Sequence, residues 1–444
     1  MRSKQRMIVM ERLLHYTWEH RLLTPGPLRT TNNEPIEIID PGLRNTNAGP
    51  DFFNAKIIIN ETLWVGNIEI HTKSSEWYRH GHEHDEAYAN VILHVAENID
   101  KQVYNCKGKV IPQLQISVPE KVSIHYNELI REESYPPCHA IIRSLSKLTI
   151  HSWMSALQTE RLEEKALQIR SRLESCNGDW ENAYFITLAR NFGFGINGDV
   201  FEEWAHHIPL QAIAKHRDNL FQIEAIFMGQ AGLLDSSSLT DYYKEEAMKD
   251  GYFQALEKEY QFLSHKFSLT PINRSHWNFL RLRPQNFPHI RLAQLANLYY
   301  TQKTGLSHLL DVQTPEEARS LFTIGVSPYW EQHYTFGSTS HECTKTLQKN
   351  SLDLLLINTA VPILFAYGCN HMDESICERA IEFLEAIKPE NNYITRSWKQ
   401  GGIEVETAAD SQALIQLRKQ YCDRKDCLRC RFGYEYLTHK FDMK

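Results

Sequence analysis

The chain has 444 residues, of which 42% are apolar, 23% charged and 11% aromatic. That balance excludes a disordered, collagen-like or coiled-coil protein, and at ~100–200 residues per domain it predicts two or three domains. The net charge of −7, taken as a mean, argues against a polyanionic partner.

Ile8, Leu13, Leu14, Trp18 and Leu22 recur at helical spacing and predict an amphipathic first helix. Arg2, Lys4, Arg6, Glu11 and Arg12 interrupt its apolar residues, unlike the core of a secretory signal. Strand-like runs follow at 36–39, 52–59, 63–71, 91–96 and 110–118, with Asn60-Glu61 as a tight turn between the second and third. His84 to Tyr88 begins a short helix before Val91. Residues 1–135 therefore read as an α/β domain, a mixed sheet with flanking helices.

Ser134 to Cys138 carries two prolines and marks the connector. From there to residue 444 the 3.6-residue period dominates and predicts a large, mostly α-helical domain. Its helices are expected at 157–173, 180–192, 201–205, 220–228, 244–262, 290–301, 315–322, 352–367, 374–387 and 408–421. The longest apolar run, 352–367, contains Asp353, Asn358 and Pro362 and reads as a buried helix, not a membrane span. Nine cysteines are too few and too scattered for a secreted disulfide framework. A cytoplasmic protein with no membrane partner is the expectation.

Four groups of residues carry chemistry. Asp51 opens one strand and Glu69 nearly ends the next, so a hairpin turning at Asn60-Glu61 sets the two carboxylates side by side. Such an oxygen pair suits Mg²⁺ or Mn²⁺. The bland alternative makes Asp51 a turn residue and Glu69 an exposed strand carboxylate. Five of the 21 histidines, His71, His80, His82, His84 and His94, fall within 24 residues. The order His80-Gly81-His82-Glu83-His84-Asp85 resembles the zinc motif of metallo-β-lactamase-type hydrolases, but its last two residues are reversed. His80, His82 and His94 instead read as a surrounding layer that binds phosphate or relays protons. Exposed loop positions for the first two and a core position for His94 remain open.

Residues 260–310 contain no Asp or Glu and carry +6, leaving −13 for the remainder. Arg274, Trp277, Arg281, Arg283 and Arg291, with Phe279 and Phe287 among them, form an expected nucleic-acid surface of phosphate contacts and stacking rings. A structural loop pairing its arginines with neighbouring acids is the alternative. Near the C-terminus, Cys422, Cys427 and Cys430 follow a helix at metal-ligand spacing and suit zinc or an iron–sulfur cluster. The fourth ligand is open among Cys138, Cys369, His371 and His439.

Pro50-Asp51, 17 intervening residues and Glu69-Ile70-His71, on a helix–strand–strand–strand–helix–strand background, resemble the PD-(D/E)XK nuclease superfamily. The resemblance implies a restriction-endonuclease-like fold, metal ligation by Asp51 and Glu69, and a third residue that positions the attacking water. His71 stands where the superfamily usually has lysine, and Lys73, two residues on, is expected to restore the charge. Some nucleases of that fold carry a cysteine-ligated iron–sulfur cluster, which the resemblance extends to Cys422, Cys427 and Cys430.

Gly66 to His71, Trp77-x-x-His80-x-His82, Asn191-Phe192-Gly193-Phe194, Gly229-Gln230-Ala231-Gly232 and Arg281-x-Arg283-Pro284 make nearly the whole chain similar to a bacterial domain-of-unknown-function family, number 2851. The expected function is metal-dependent hydrolysis of phosphodiester bonds in DNA or RNA. A non-catalytic nucleic-acid-binding or scaffold protein on a degenerate nuclease fold is the alternative.

Overall fold

A computed structural model describes residues 2–23, 26–238, 241–301 and 305–438. The chain divides into two compact units, residues 1–146 with 418–444, and residues 147–417. The boundary thus differs from the expected one. The segment bearing Cys422, Cys427 and Cys430 folds with the N-terminal unit, not with the helices that precede it.

In the first unit, α1 (Arg2–Glu19) precedes β1 (Leu28–Arg29), β2 (Pro35–Asp40), β3 (Leu43–Arg44), β4 (Phe52–Ile59) and β5 (Thr62–Lys73). A crossover with the short α2 (Glu76–Arg79) then leads to β6 (Val91–Asn98), β7 (Gln113–Gln115) and α3 (Glu120–Arg131). The strands form one mixed sheet in the order β1-β2-β4-β5-β6-β7, with β3 also on β4. β4 and β5 are antiparallel, while β5–β6 and β6–β7 are parallel. Of the expected last strand, 110–118, only three residues pair as a strand, and the helix expected at His84 is a pair of 3₁₀ turns.

The hairpin turns where the sequence predicts. Asn60 and Glu61 both have positive φ, 47° and 67°, and Ile59 pairs with Thr62. Two consecutive left-handed residues make a turn whose twist matches that of the flanking strands. Along β5 the side chains alternate. Ile68 and Ile70 pack with Leu14 and Trp18 of α1, and with Ile57, Leu93 and Val95, in the core of the unit. Burying each such side chain contributes ~1.5–3 kcal/mol. The intervening Glu69 and His71 therefore face the other side, beneath the crossover.

The C-terminal segment is tied to the same unit. Arg12 pairs with Asp426 at 2.6 Å, Lys425 Nζ donates to the Ile130 carbonyl at 2.6 Å, and His20 packs on Tyr434. In the second unit, helices such as Lys147–Ser175, Trp180–Phe192 and Pro288–Tyr300 enclose a core that includes Phe185, Phe192, Trp204 and Phe227. The helix expected at 244–262 is broken, because the Asp250 carboxylate accepts from the Tyr252 and Phe253 amides and starts a new helix. Lys349–His371 is apolar and long enough to cross a membrane, but 72% of its most apolar window is buried inside the unit.

Left-handed geometry costs a side-chain-bearing residue ~1–2 kcal/mol relative to its usual conformations. Glu61→Gly is therefore expected to raise stability by ~0.5–1 kcal/mol, read as a higher urea midpoint at unchanged slope. An unchanged or lower midpoint would contradict the turn geometry.

Candidate functional site

The β4–β5 register sets Asp51 and Glu69 against each other. The Asp51 amide donates to Glu69 Oε2 at 3.1 Å, and the Ile70 amide donates to Asp51 Oδ2 at 2.9 Å. His15 of α1 approaches the same Asp51 oxygen, with its Nε2 3.2 Å away. Burial works against the His15 imidazolium, but the hydrogen bond and charge of Asp51 outweigh it and raise its pKa. Glu11, one helical turn earlier, has a carboxyl raised by burial.

The neighbouring strand brings a third element, for Glu69 pairs with His94 and His71 with Ala96 across the parallel β5–β6 ladder. His94 Nε2 lies 2.9 Å from His71 Nδ1. In the tautomer with hydrogen on His71 Nδ1, His94 accepts it and the Nε2 lone pair of His71 is free for a cation.

The crossover closes over this face. α2 is anchored by the buried Glu76, whose Oε2 accepts from the Thr72 hydroxyl at 2.7 Å and from the Thr72 and Lys73 amides at 3.2 Å. After His80 the chain reverses at Gly81, which has a φ of 75° and so a conformation natural to glycine. His82 then turns inward, stacked on Tyr88 at 3.8 Å and edge-on to Trp77.

Ring nitrogens of His71, His80 and His82 all lie within 4.8 Å of one another. His71 Nε2 is 3.2 Å from His80 Nδ1. Glu69 Oε1 sits 3.5 Å from His71 Nε2 and 3.4 Å from His82 Nε2. Donors held ~2.0–2.2 Å from one ion stand ~3–4 Å apart. His82 Nε2 is a buried nitrogen with no hydrogen-bond partner. Three imidazoles and a carboxylate at these spacings fit a divalent transition-metal ion, whereas Mg²⁺ prefers oxygen donors and water.

The electrostatics point the same way. Burial, then the charge of Asp51, pushes the Glu69 carboxyl up to about 9. Burial, then His94, His80 and His82, takes His71 down to about 2, and burial with His82 takes His94 to about 3. His80 and His82 are also lowered, chiefly by burial. Neutral imidazoles are the ligating form, and a bound cation would replace the proton on Glu69.

Several expectations need correction. His80 and His82 stand in the donor cluster beside Glu69 and His71, not in a layer around it. Lys73 is exposed, and the charges acting most on Glu69 are those of Asp51, His15 and Glu11. His84 is exposed as well. In the helical unit Trp277 is buried with its Nε1 on the Ala231 carbonyl, and Arg291 is buried on Gln294 and Asn286. Neither is placed to stack on a base or meet a polymer backbone. Arg281 and Arg283 are exposed, and Arg274 is half-buried.

Cys138 joins Cys422, Cys427 and Cys430 in the first unit. Burial, then the charges of Cys430, Cys422 and Cys427, drives the Cys138 thiol well above its usual pKa. Cys422 is raised for the same reasons, and burial takes Cys427 to about 11. Cys369 and His371 belong to the helical unit, where Cys369 lies 3.7 Å from Cys377 and His371 stacks on Tyr367. His439 lies outside the described residues.

Sequence reading missed His15. Its signal was present, since Glu11 and His15 are one turn apart on the first helix, but the helix face they share is defined only by what packs against it.

What emerges is a two-unit protein whose sheet presents a histidine–carboxylate cluster under a short helical crossover. Within that class the chain belongs to a family described as proteins of unknown function, DUF2851, whose model matches residues 11–393. No curated protein and no solved structure matches it.

Glu76 holds the crossover in place, so its loss should register as stability. Hydrogen bonds from Thr72 and Lys73 and the Arg79 charge outweigh burial and depress its pKa. The stabilisation is then present above the unfolded carboxyl pKa of ~4.3 and fades as pH falls through the lower folded value. Glu76→Gln is expected to cost ~1–3 kcal/mol at pH 7, with the gap to wild type closing below about pH 4, measured by chemical denaturation.

Proposed function

We propose that the protein is a metal-dependent hydrolase that cleaves phosphodiester bonds in nucleic acid. The observation that carries this reading is the convergence of the His71, His80 and His82 ring nitrogens within 4.8 Å of one another, with Glu69 Oε1 3.4–3.5 Å from His82 and His71, beside the Asp51–His15 pair. Asp51 and Glu69 on a hairpin, followed by a helical crossover and a parallel strand, are arranged in a similar way to PD-(D/E)XK nucleases. That similarity supports the restriction-endonuclease-like reading of the sheet. The acid-free segment 260–310, with Arg281 and Arg283 exposed, supports a polyanionic substrate.

Glu69, His71, His80 and His82 would hold a divalent ion such as Mn²⁺ or Zn²⁺, which supplies a water of lowered pKa and charge neutralisation at the phosphoryl group. His94 orients His71 through its second nitrogen. The Asp51–His15 pair holds a proton next to the cluster, where a leaving oxygen requires one. Glu76, Trp77 and Tyr88 fix the crossover that carries His80 and His82.

The test is cleavage of single- and double-stranded DNA and RNA with Mn²⁺, Zn²⁺ or Mg²⁺. Wild type is expected to cut, Glu69→Gln and His82→Ala to lose ~100-fold or more, and Lys73→Ala to stay within ~2-fold. Cleavage that survives Glu69→Gln would overturn the assignment. Nucleic-acid binding without cleavage under any metal would favour the alternative of a binding protein on a degenerate nuclease fold, for which the histidine at position 71 is the supporting observation.

The gathered thiols of Cys138, Cys422, Cys427 and Cys430 we assign to zinc or an iron–sulfur cluster, since four thiols, three of them buried and Cys422 half-buried, suit a closed structural site. Elemental analysis of protein purified without oxygen should find zinc or iron in excess of the hydrolytic ion. Cys138→Ser should lower that content and the melting temperature, while the unit-two cysteine change Cys369→Ser should do neither.

A further inference from the structure

The helical unit encloses a second polar feature, a cavity of about 200 Å³ lined in part by Arg283, Arg291, Lys345, Gln348 and Ser351. Among the described lining residues none is acidic.

Two of its cations are buried. Arg291 is only 6% exposed, and among the described residues no carboxylate pairs with it. Its Nη1 donates to Gln294 at 2.8 Å, its Nη2 to Asn286 at 2.6 Å, and its plane lies 4.4 Å from the Phe194 ring centroid. Its Nε–H has no partner. Lys345 is 4% exposed, and its ammonium donates to the carbonyls of Trp330, Glu331 and His333. The charges acting on it, Glu331 and Cys343, do not line the cavity.

Burying a cation against neutral groups alone is costly, and proteins ordinarily resolve it with a counter-charge. Burial has pushed Arg291 down to about 10, the direction of an uncompensated guanidinium. Here Gln294 and Asn286 satisfy two nitrogens and hold the fork rigid, while Nε–H is left for an acceptor. Gln348 and Ser351 add neutral donors, and the exposed Arg283 brings a further charge to the cavity. Several donors with two or three positive charges suit a dianion with three free oxygens better than a carboxylate with two. The volume falls below the ~300–1,000 Å³ of drug-sized sites, so the ligand is small.

We propose that this cavity binds a small phosphate compound, free phosphate or a phosphate monoester, held by Arg291 within and by Arg283. The site belongs to the helical unit and uses none of the histidine cluster, but it shares Arg283 with the acid-free segment read above as support for a polyanionic substrate.

Isothermal titration of the full chain with inorganic phosphate, adenosine monophosphate and acetate tests it. Saturable binding of either phosphate compound is expected, weakened about tenfold or more in Arg283→Ala and Ser351→Ala, and more in Arg291→Met. Tighter binding of the monoester assigns that source, and tighter binding of inorganic phosphate assigns the free ion. Should Arg291→Met fail to fold, the two other variants carry the test. Absence of saturable binding to folded wild type overturns the proposal. So does binding that Arg283→Ala and Ser351→Ala leave unchanged, binding that acetate matches, or tighter binding of an oligonucleotide with a 5′-hydroxyl that depends on the same arginines.

Discussion

The register of β5 between its antiparallel partner β4 and its parallel partner β6 governs everything in the first unit. Because side chains alternate along a strand, Ile68 and Ile70 cannot enter the core with Trp18 unless Glu69 and His71 face the opposite side. The hydrophobic effect that seats α1 on the sheet thereby presents a carboxylate and an imidazole together. A slip of one residue would bury the charges against α1 and expose the isoleucines. The same register sets Asp51 beside Glu69 and His94 beside His71.

Once exposed to that face, the polar groups need a lid, and the crossover supplies one. Its position depends on Glu76, which accepts hydrogen bonds from the end of β5, and on Trp77, which donates to the Tyr104 carbonyl at 3.0 Å. The lid removes water from Glu69, His71, His82 and His94, while His80 stays at the exposed rim. Burial then favours neutral forms, so the imidazoles lose protons and Glu69 keeps one. A divalent cation, as proposed, would take the imidazole lone pairs and displace the proton of Glu69.

The two units share a pattern of buried polarity that the chain does not itself complete. Four thiols gather without disulfides in the first unit. In the second, Arg291 and Lys345 lie buried against amides and carbonyls. Burying the guanidinium and the ammonium costs stability, which the proposed anion would offset, while the gathered thiols would lose their protons to the proposed zinc or iron.

How much of this the sequence revealed can be argued residue by residue. The hairpin was legible because two apolar runs flank Asn60-Glu61, and the helical half was legible from its period. Asp51 and Glu69 were legible as neighbours, since an antiparallel hairpin makes sequence distance into spatial distance. Local patterns also announced the cysteine triad and the acid-free stretch. The membership of His80 and His82 in the donor cluster was not legible, because it hangs on the reversal at Gly81 and on the parallel β5–β6 pairing. Nor were His15, the choice of Cys138 among four candidates, or the burial of Trp277 and Arg291. These depend on contacts between segments far apart in the chain, for which alternation and helical spacing carry no information. By itself the sequence determined elements, their polar and apolar faces, and one hairpin. Tertiary packing decided which polar faces meet and which lose water, because desolvation belongs to the assembled unit and to no single element.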